Sequence, residues 1–334
     1  MVFVISQTTK LTIGIPTFNR ALALIELLKN LYSLSDSEYY FNILILDNSE
    51  NDITEVHLYK AGYLDKVNLK YIRHKQNIGF DDNILQLYIN TSTDYLWLIG
   101  DDDLPEDNYL INIFKALSSN PDMVLIPFRQ PSSLILPNYQ NEPFEIIHDN
   151  AIEACLLISK TGKISSFLYK INQFDSASIT RLKSFSQSGW MHMALAYENL
   201  YLNPNFKLKT LNIFGAKSKS DNDIKKLQWI PIAYLKFDLF KNHPFIQPIF
   251  SNKRIKKNWR NIYFGGIWLT CMGASKTWDV ESSSQYEDFG KKYPFKNYLF
   301  QNPPFLIYWF LLKLNITKYF KIYFSFLSRR AGYN

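Results

Sequence analysis

Three consecutive carboxylates, Asp101, Asp102 and Asp103, follow the apolar run Tyr95–Ile99 with only Gly100 in between. Like charges placed side by side repel one another, so a counter-charge must offset the cost. A divalent cation bound to a diphosphate can supply it, because Mg2+ and Mn2+ prefer hard oxygen ligands. The plainer alternative is an acidic loop leading into a helix, with an aspartate near the helix N-terminus. A bare triplet favours that alternative; a triplet directly behind a strand favours the cation.

Three more polar groups occupy equivalent places. Thr17 and Asn19 follow Leu11–Ile15, Asp47 follows Asn42–Leu46, and Asn77 follows Leu69–Ile72. Each also has a purely local reading: Asn19 as a helix cap, Asp47 as a solvated turn residue, Asn77 as a left-handed turn residue beside Gly79.

The elements that must position these residues are legible as alternating strands and helices over the first 128 residues. Leu11–Ile15 is a short strand halted by Pro16, and Asn19 can cap a helix through about Leu34. Leu24, Leu27, Leu28 and Leu31 form that helix's apolar face. Asn42–Leu46 and Leu69–Ile72 are the next strands, and a helix from about Asp82 turns Ile84, Leu85 and Tyr88 inward. Tyr95–Ile99 is a fourth strand. Pro105 then suits the first turn of a helix that buries Leu110, Ile113, Phe114 and Leu117, before a fifth strand at Met123–Phe128. Continuous apolar strands separated by helices indicate an α/β fold, a mostly parallel sheet covered on both faces. Ligands of such sheets bind at the carboxyl ends of the strands. Four polar clusters at four strand ends therefore imply one site.

Beyond about residue 130 the rhythm weakens. Pro131–Pro143 reads as a loop, Ala151–Ser159 as a helix, Phe167–Ile171 as a strand and Ser188–Leu202 as a helix carrying Trp190 and His192. After about residue 225 the chain reads as helical and rich in aromatics.

The 334 residues are 47% hydrophobic, enough for one large core with an appendage. A net charge of +7 permits nucleic acid, anionic lipid or phosphorylated substrates as partners. Basic residues gather at Lys253, Arg254, Lys256, Lys257 and Arg260. An acidic mouth at Asp101–Asp103 would repel a nucleic acid, so none is expected as a partner. The two cysteines, Cys155 and Cys271, lie among apolar neighbours and read as buried thiols of a reducing compartment. Met1–Lys10 lacks the pattern of a signal peptide, and no run of about eighteen residues is uncharged enough to span a bilayer. The cytoplasm is the expected location. A dinucleotide-dependent oxidoreductase is disfavoured, because Pro16–Arg20 contains no G-x-G-x-x-G turn.

In order along the chain, four segments resemble family 2 glycosyltransferases of the GT-A, Rossmann-like fold. Ile15-Pro16-Thr17-Phe18-Asn19-Arg20 is similar to the family's P-T-Y-N-R opening, and Leu46-Asp47-Asn48-Ser49 to its V-D-D/N-G-S segment. Asn77–Asn83 resembles its N-x-G-x-x-x-N stretch, and Tyr95–Asp103 the strand that ends in its DxD motif. The resemblance spans about 130 residues and is nearest in flavour to an abequosyltransferase-like branch that builds bacterial surface polysaccharides. It implies an inverting transfer from a nucleotide-sugar donor to a glycan or lipid-linked acceptor, in capsule or O-antigen synthesis. A catalytically inactive carbohydrate- or nucleotide-binding relative is the alternative.

The resemblance also implies roles. Pro16, Thr17 and Asn19 would line the base pocket, and Asp47 would accept a hydrogen bond from the nucleobase. Asn77 and Asn83 would lie near the ribose and diphosphate. Asp102 would be the main carboxylate on a Mn2+ or Mg2+ ion, helped by Asp101 or Asp103. Gly100 stands where the family usually has a further aspartate, and Asp101 is the natural substitute. The family's late Glu-Asp pair has no clear match, which leaves His192, Asp175 and Glu198 as candidates for the base.

The resulting division is a catalytic domain over residues 1–225, with a nucleotide-sugar half to about 128 and an acceptor half from 129. A helical C-terminal region covers 226–334. Within it, Pro303–Arg330 mixes aromatics with Lys313, Lys318, Lys321, Arg329 and Arg330, a pattern that suits an amphipathic segment at a membrane surface or a helix packed on the core. The first of these makes the protein peripheral at the inner face of the cell membrane.

Overall fold

The computed structural model describes residues 11–33, 40–106, 109–129, 145–148, 150–161, 163–211, 216–218 and 243–247. Pro131–Pro143, Lys253–Arg260, Cys271 and everything expected of residues 248–334 lie outside them, as does Met1–Lys10. The described residues all belong to one compact unit, formed by residues 1–221 and 236–259.

The unit opens with β1 (Leu11–Thr17), α1 (Ala21–Ser33), β2 (Phe41–Asp47), α2 (Ile53–Lys60), β3 (Leu69–Arg73), α3 (Phe80–Asn90) and β4 (Tyr95–Leu98). It continues with β5 (Asp103–Pro105), α4 (Tyr109–Leu117), β6 (Met123–Leu125), β7 (Phe128–Arg129), β8 (Glu145–His148) and α5 (Ala151–Lys160). A 3-10 turn at Ile164–Ser166 leads into β9 (Phe167–Lys170), then α6 (Ser176–Lys183), α7 (Met191–Leu202), β10 (Leu208–Leu211) and β11 (Ala216–Ser218).

The main sheet has the order β3-β2-β1-β4-β9-β6-β10-β8. Strands β1 to β4, β6 and β10 run one way, whereas β9 lies antiparallel between β4 and β6 and β8 antiparallel on β10. The sheet is thus mixed but mostly parallel. Four strand ends, at Thr17, Asp47, Arg73 and Leu98, share one edge.

Alternation along the strands assigns the two faces. Ile13, Ile43, Ile45 and Trp97 point into a core shared with Leu24, Leu27, Leu28 and Leu31 of α1, Leu58 of α2 and Leu110, Ile113 and Leu117 of α4. The leucine face expected for α1 is the buried one. On the other face α3 comes so close that a Cβ on Gly14 would meet Leu87 and Leu98 at 3.5 Å and Leu96 at 2.7 Å. Helix α7 packs beside α3 and against β9, and its residues from Met191 to Leu200 are all buried. A helix buried on every side belongs to the core of a large domain, which accounts for its lack of an amphipathic pattern.

Several sequence expectations need correction. Pro16 does not halt β1, which runs on to Thr17. Pairing with β4 stops at Gly14, so Pro16 sits where one side of the strand is free of a ladder and a missing N–H costs nothing. Pro105 is not in a helix but in β5, paired with Ala216, and α4 begins at Tyr109. The fifth strand ends at Leu125, because Pro127 cannot donate; Ile126 N–H instead reaches the Ser166 carbonyl at 2.9 Å. Asn19 does not occupy the cap position of α1. It takes a left-handed conformation at φ 55°, and the next residue, Arg20, accepts from Leu24 N–H.

Candidate functional site

At the end of β1, Thr17 is buried and its hydroxyl donates to Asp101 Oδ2 at 2.7 Å. Arg20, three residues on, places Nη1 2.9 Å from Asp101 Oδ1 and 2.7 Å from Asp102 Oδ2. The first turn of α1 is thereby tied to the loop after β4. Burial pushes the Asp101 carboxyl above the usual carboxylate range, against the pull of Arg20 and Thr17. The Arg20 guanidinium, also desolvated, is held above its usual range by the two carboxylates.

The three aspartates do not point to one place. Asp103 is buried and accepts from Ser165 Oγ, whose oxygen in turn accepts from Gly100 N–H at 2.9 Å. Burial lifts the Asp103 carboxyl to about 6, although Lys163 and Ser165 oppose the rise. Asp102 remains about one-third exposed. Among the described residues no three His, Cys, Asp or Glu side chains form a metal cage. The donor set that fits a hard cation is the pair Asp101 and Asp102, which already converge on one positive group. Mg2+ characteristically takes one or two carboxylates and fills its other positions with water and substrate phosphate. Gly100 also has a reason to be glycine: a Cβ there would lie 3.0 Å from Asp103 Oδ2 and 3.3 Å from Asp102 Oδ1.

The end of β2 carries a second network. Asp47 is fully buried, not solvated; its Oδ1 accepts from Ser49 N–H at 2.8 Å and its Oδ2 from the Tyr71 hydroxyl at 2.8 Å. Ser49 Oγ donates to Asp47 and accepts from Asn19 N–H at 2.8 Å. Asn48 N–H reaches the Thr17 carbonyl at 2.9 Å, and its side-chain amide donates to the Gly79 carbonyl at 3.0 Å. The ends of β1, β2 and β4 and the loop after β3 are therefore one hydrogen-bonded surface.

Asn77 and Asn83 take different parts in it. Asn77 is exposed, and its side chain accepts from Gly79 N–H at 2.9 Å, the turn through which Gly79 reaches φ 85°. Asn83 is buried and donates to the Leu46 carbonyl at 3.0 Å, with His74 Nε2 3.0 Å from its oxygen. It ties α3 to β2 from behind the loop.

The three candidates for the base are far from equivalent. Strand β9 runs antiparallel to β4, with Lys170 opposite Tyr95, so the chain leaves β9 at the edge opposite Asp101. Asp175 follows there and caps α6, accepting from Ser178 N–H at 2.7 Å. That bond holds its carboxyl below the usual range. Helices α3 and α7 run side by side, with Asp81 bonded to Met191 at their starts and Tyr88 to Asn199 near their ends. Glu198 thus lies toward the edge away from Asp101. It is buried with Arg181 Nε at 3.1 Å and His243 Nε2 at 3.0 Å. Burial would raise its carboxyl, but hydrogen bonds from His243, Arg181 and Ser178 prevail and hold it at about 2. Only His192 stands in the first turn of α7, at the edge of the site. It is buried, with Phe167 at 5.1 Å and Trp190 at 5.5 Å between ring centroids.

The family model described as glycosyl transferase family 2 matches residues 12–194. The chain belongs to glycosyl transferase family 2. This family 2 chain is 31% identical, over 113 residues, to the abequosyltransferase RfbV of Salmonella typhimurium strain LT2. That match covers 33% of the chain and 33% of RfbV, a third of the relative's length. Its fold is similar to that of S. aureus TarS residues 1–349, with a TM-score of 0.56 and 16% identity over 83% of this chain and 77% of that one. The structure of the same TarS segment in complex with UDP-GlcNAc gives the same score at 15% identity, over 83% of this chain and 78% of that one.

Sequence reasoning passed over several residues that build this family 2 site. Arg20 and Asn48 stand inside the recognised segments and could have been found there. Asp81 also stands inside one, Asn77–Asn83, but its partner Met191 lies 110 residues away, and Ser165 and Tyr71 carry no local signal because theirs lie 62 and 24 residues away.

Proposed function

We propose that the chain transfers a sugar from a nucleotide-sugar donor to a glycan or lipid-linked acceptor, with inversion. The observation that carries this reading is the Thr17–Asp101–Arg20–Asp102 network at the carboxyl edge of the sheet. Asp101 and Asp102 would repel a phosphate on their own, and they suit a diphosphate only through a divalent cation that replaces Arg20 between them.

Asp101 and Asp102 would hold a divalent ion, Mn2+ or Mg2+, with Asp103 behind them. When bound, such an ion stabilises the charge of the departing diphosphate. The chain's own residues do the rest. Asp47, anchored by Ser49 and Tyr71, presents the end of β2 to the nucleobase, with Pro16, Thr17 and Asn19 beside it. Asn77 and Gly79 offer the donor an exposed polar turn. Arg20, now shared between the two aspartates, would pass to a diphosphate oxygen once the ion takes its place. His192 is the base we favour, taking the acceptor hydroxyl proton as its oxygen attacks the anomeric carbon and the nucleoside diphosphate leaves. Glu198 is buried against Arg181 and His243 at the far edge, and Asp175 is the exposed cap of α6 on the same side.

The abequosyltransferase likeness supports a role in bacterial surface polysaccharide, of capsule or O-antigen type. We place the catalytic domain at residues 1–225 together with 243–247, whose buried His243 bonds Glu198, and assign the rest of 226–334 to a region that meets the inner face of the cell membrane. Its aromatic and basic residues at Pro303–Arg330 support that assignment. Deleting residues after Gln301 should reduce binding to anionic liposomes and lower transfer to lipid-linked acceptors more than donor hydrolysis. Equal binding by the truncated chain would remove the membrane role.

The activity is tested by incubating purified protein with UDP-, GDP-, CDP- and dTDP-sugars and Mn2+ and scoring release of nucleoside diphosphate. Release from one nucleotide class is expected. Release from none, with and without candidate acceptors, would end this reading.

A further inference from the structure

Helix α7 begins without a cap of its own: Trp190 occupies the cap position, and its side chain makes no capping bond. The first N–H groups of a helix need acceptors when they are buried, and a negative charge there is favourable. Both needs are met from another helix. Asp81, in the first turn of α3, accepts from Gly189 N–H at 2.7 Å through Oδ2 and from Met191 N–H at 3.0 Å through Oδ1. It is 2% exposed, so the chain bears the cost of desolvating a carboxylate to make this contact. The neighbouring Asp82 accepts from Ser186 Oγ at 2.6 Å. Between these two ties the chain passes through left-handed backbone at Gln187 (φ 64°) and Gly189 (φ 78°), an arrangement costly enough to need outside support.

The other end of the connection is the donor side. Asp81 comes two residues after Gly79, whose carbonyl is held by the Asn48 side chain. One short stretch, Gly79–Asp82, is thus bonded to the end of β2 on one side and to the turn carrying Trp190 and His192 on the other. We propose that Asp81 is a positioning residue that sets the acceptor side of the site against the donor side by capping α7 from α3. The proposal rests on the glycosyltransferase reading above. Its specific content is that water and acceptor are discriminated through this carboxylate: while the turn is held, the acceptor hydroxyl is aligned; once it is loose, a bound donor is lost to water.

The test is Asp81→Asn, which keeps the size of the side chain and one acceptor oxygen. Nucleoside diphosphate affinity should stay within about threefold, transfer should fall at least about tenfold, and the ratio of hydrolysis to transfer should rise. Hydrogen exchange at the Gly189 and Met191 amides should accelerate by a similar factor, a readout independent of turnover. Ser186→Ala, which releases only the Asp82 tie, should move the same ratio in the same direction by a smaller factor, and it serves if Asp81→Asn does not fold. Hydrolysis and transfer falling together would overturn the proposal, as would unchanged exchange at both amides. If the wild type turns over no nucleotide sugar, the function above fails, and the exchange measurement alone decides whether Asp81 caps α7.

Discussion

Arg20 Nη1 bridges two carboxylates, 2.9 Å from Asp101 and 2.7 Å from Asp102. In the donor-free protein it therefore competes with any divalent ion for the same oxygens. Both Arg20 and Asp102 are about one-third exposed, so the Asp102 side of the bridge is worth no more than about 1 kcal/mol after solvent screening. Arg20→Ala should then bind Mn2+ roughly three- to fivefold more tightly without nucleotide, as read by electron paramagnetic resonance titration. Weaker Mn2+ binding by the variant would mean that Arg20 organises the pair and does not compete.

Asp47 should matter for fold and for nucleotide alike. Its carboxylate is buried and takes donors from Ser49 and Tyr71, so Asp47→Ala leaves those groups without their acceptor at a cost of about 2–3 kcal/mol. Tyr71→Phe, which removes one neutral donor, should cost about 1 kcal/mol. Denaturant melts check both values. At a temperature where Asp47→Ala is still folded, its nucleoside diphosphate affinity should fall more than that of Tyr71→Phe.

The parallel strands and their polar ends were legible because local periodicity and turn chemistry specify them. Thr17, Asp47 and Asp101 could be placed at one edge without any contact being known. What was not legible was the direction of β9. An apolar run reads the same in either direction, and only the antiparallel register of Lys170 with Tyr95 puts Asp175 on the wrong side of the sheet. Helix α7 was legible as a helix over Ser188–Leu202, but its facing was not, for a related reason: fully buried, it has no amphipathic stripe to fix its orientation. The left-handed residues Asn19 and Gln187, neither of them glycine, also gave no warning.

Glu198 should act in stability and not in catalysis. Held at about 2, below the ordinary glutamate range of about 4.3, it contributes stability above that range. The contribution is lost as pH falls from about 4.3 through about 2. Glu198→Gln should lower stability at neutral pH by about 3 kcal/mol, since it leaves Arg181 and His243 without their carboxylate. Across pH 4.3 to 2 the variant should lose less further stability than the wild type, a difference that acid-unfolding curves followed by circular dichroism would show.

Asp175 and His192 separate the candidates for the base by rate. Asp175→Ala removes the α6 cap and should cause a small loss of thermal stability with transfer unchanged. His192→Ala should nearly stop transfer, by about a hundredfold or more, while nucleotide affinity stays close to normal. Wild-type transfer by His192→Ala would move the search for the base elsewhere.

The most direct test of the donor site is calorimetric titration of the wild type and Asp102→Asn with UDP, GDP, CDP and dTDP, in Mn2+ and again in EDTA. One nucleotide should bind the wild type in Mn2+ at least about a hundredfold more tightly than in EDTA, and Asp102→Asn should lose that difference. Binding of equal strength in EDTA, or undiminished in Asp102→Asn, would contradict a metal-assisted diphosphate site at the end of β4.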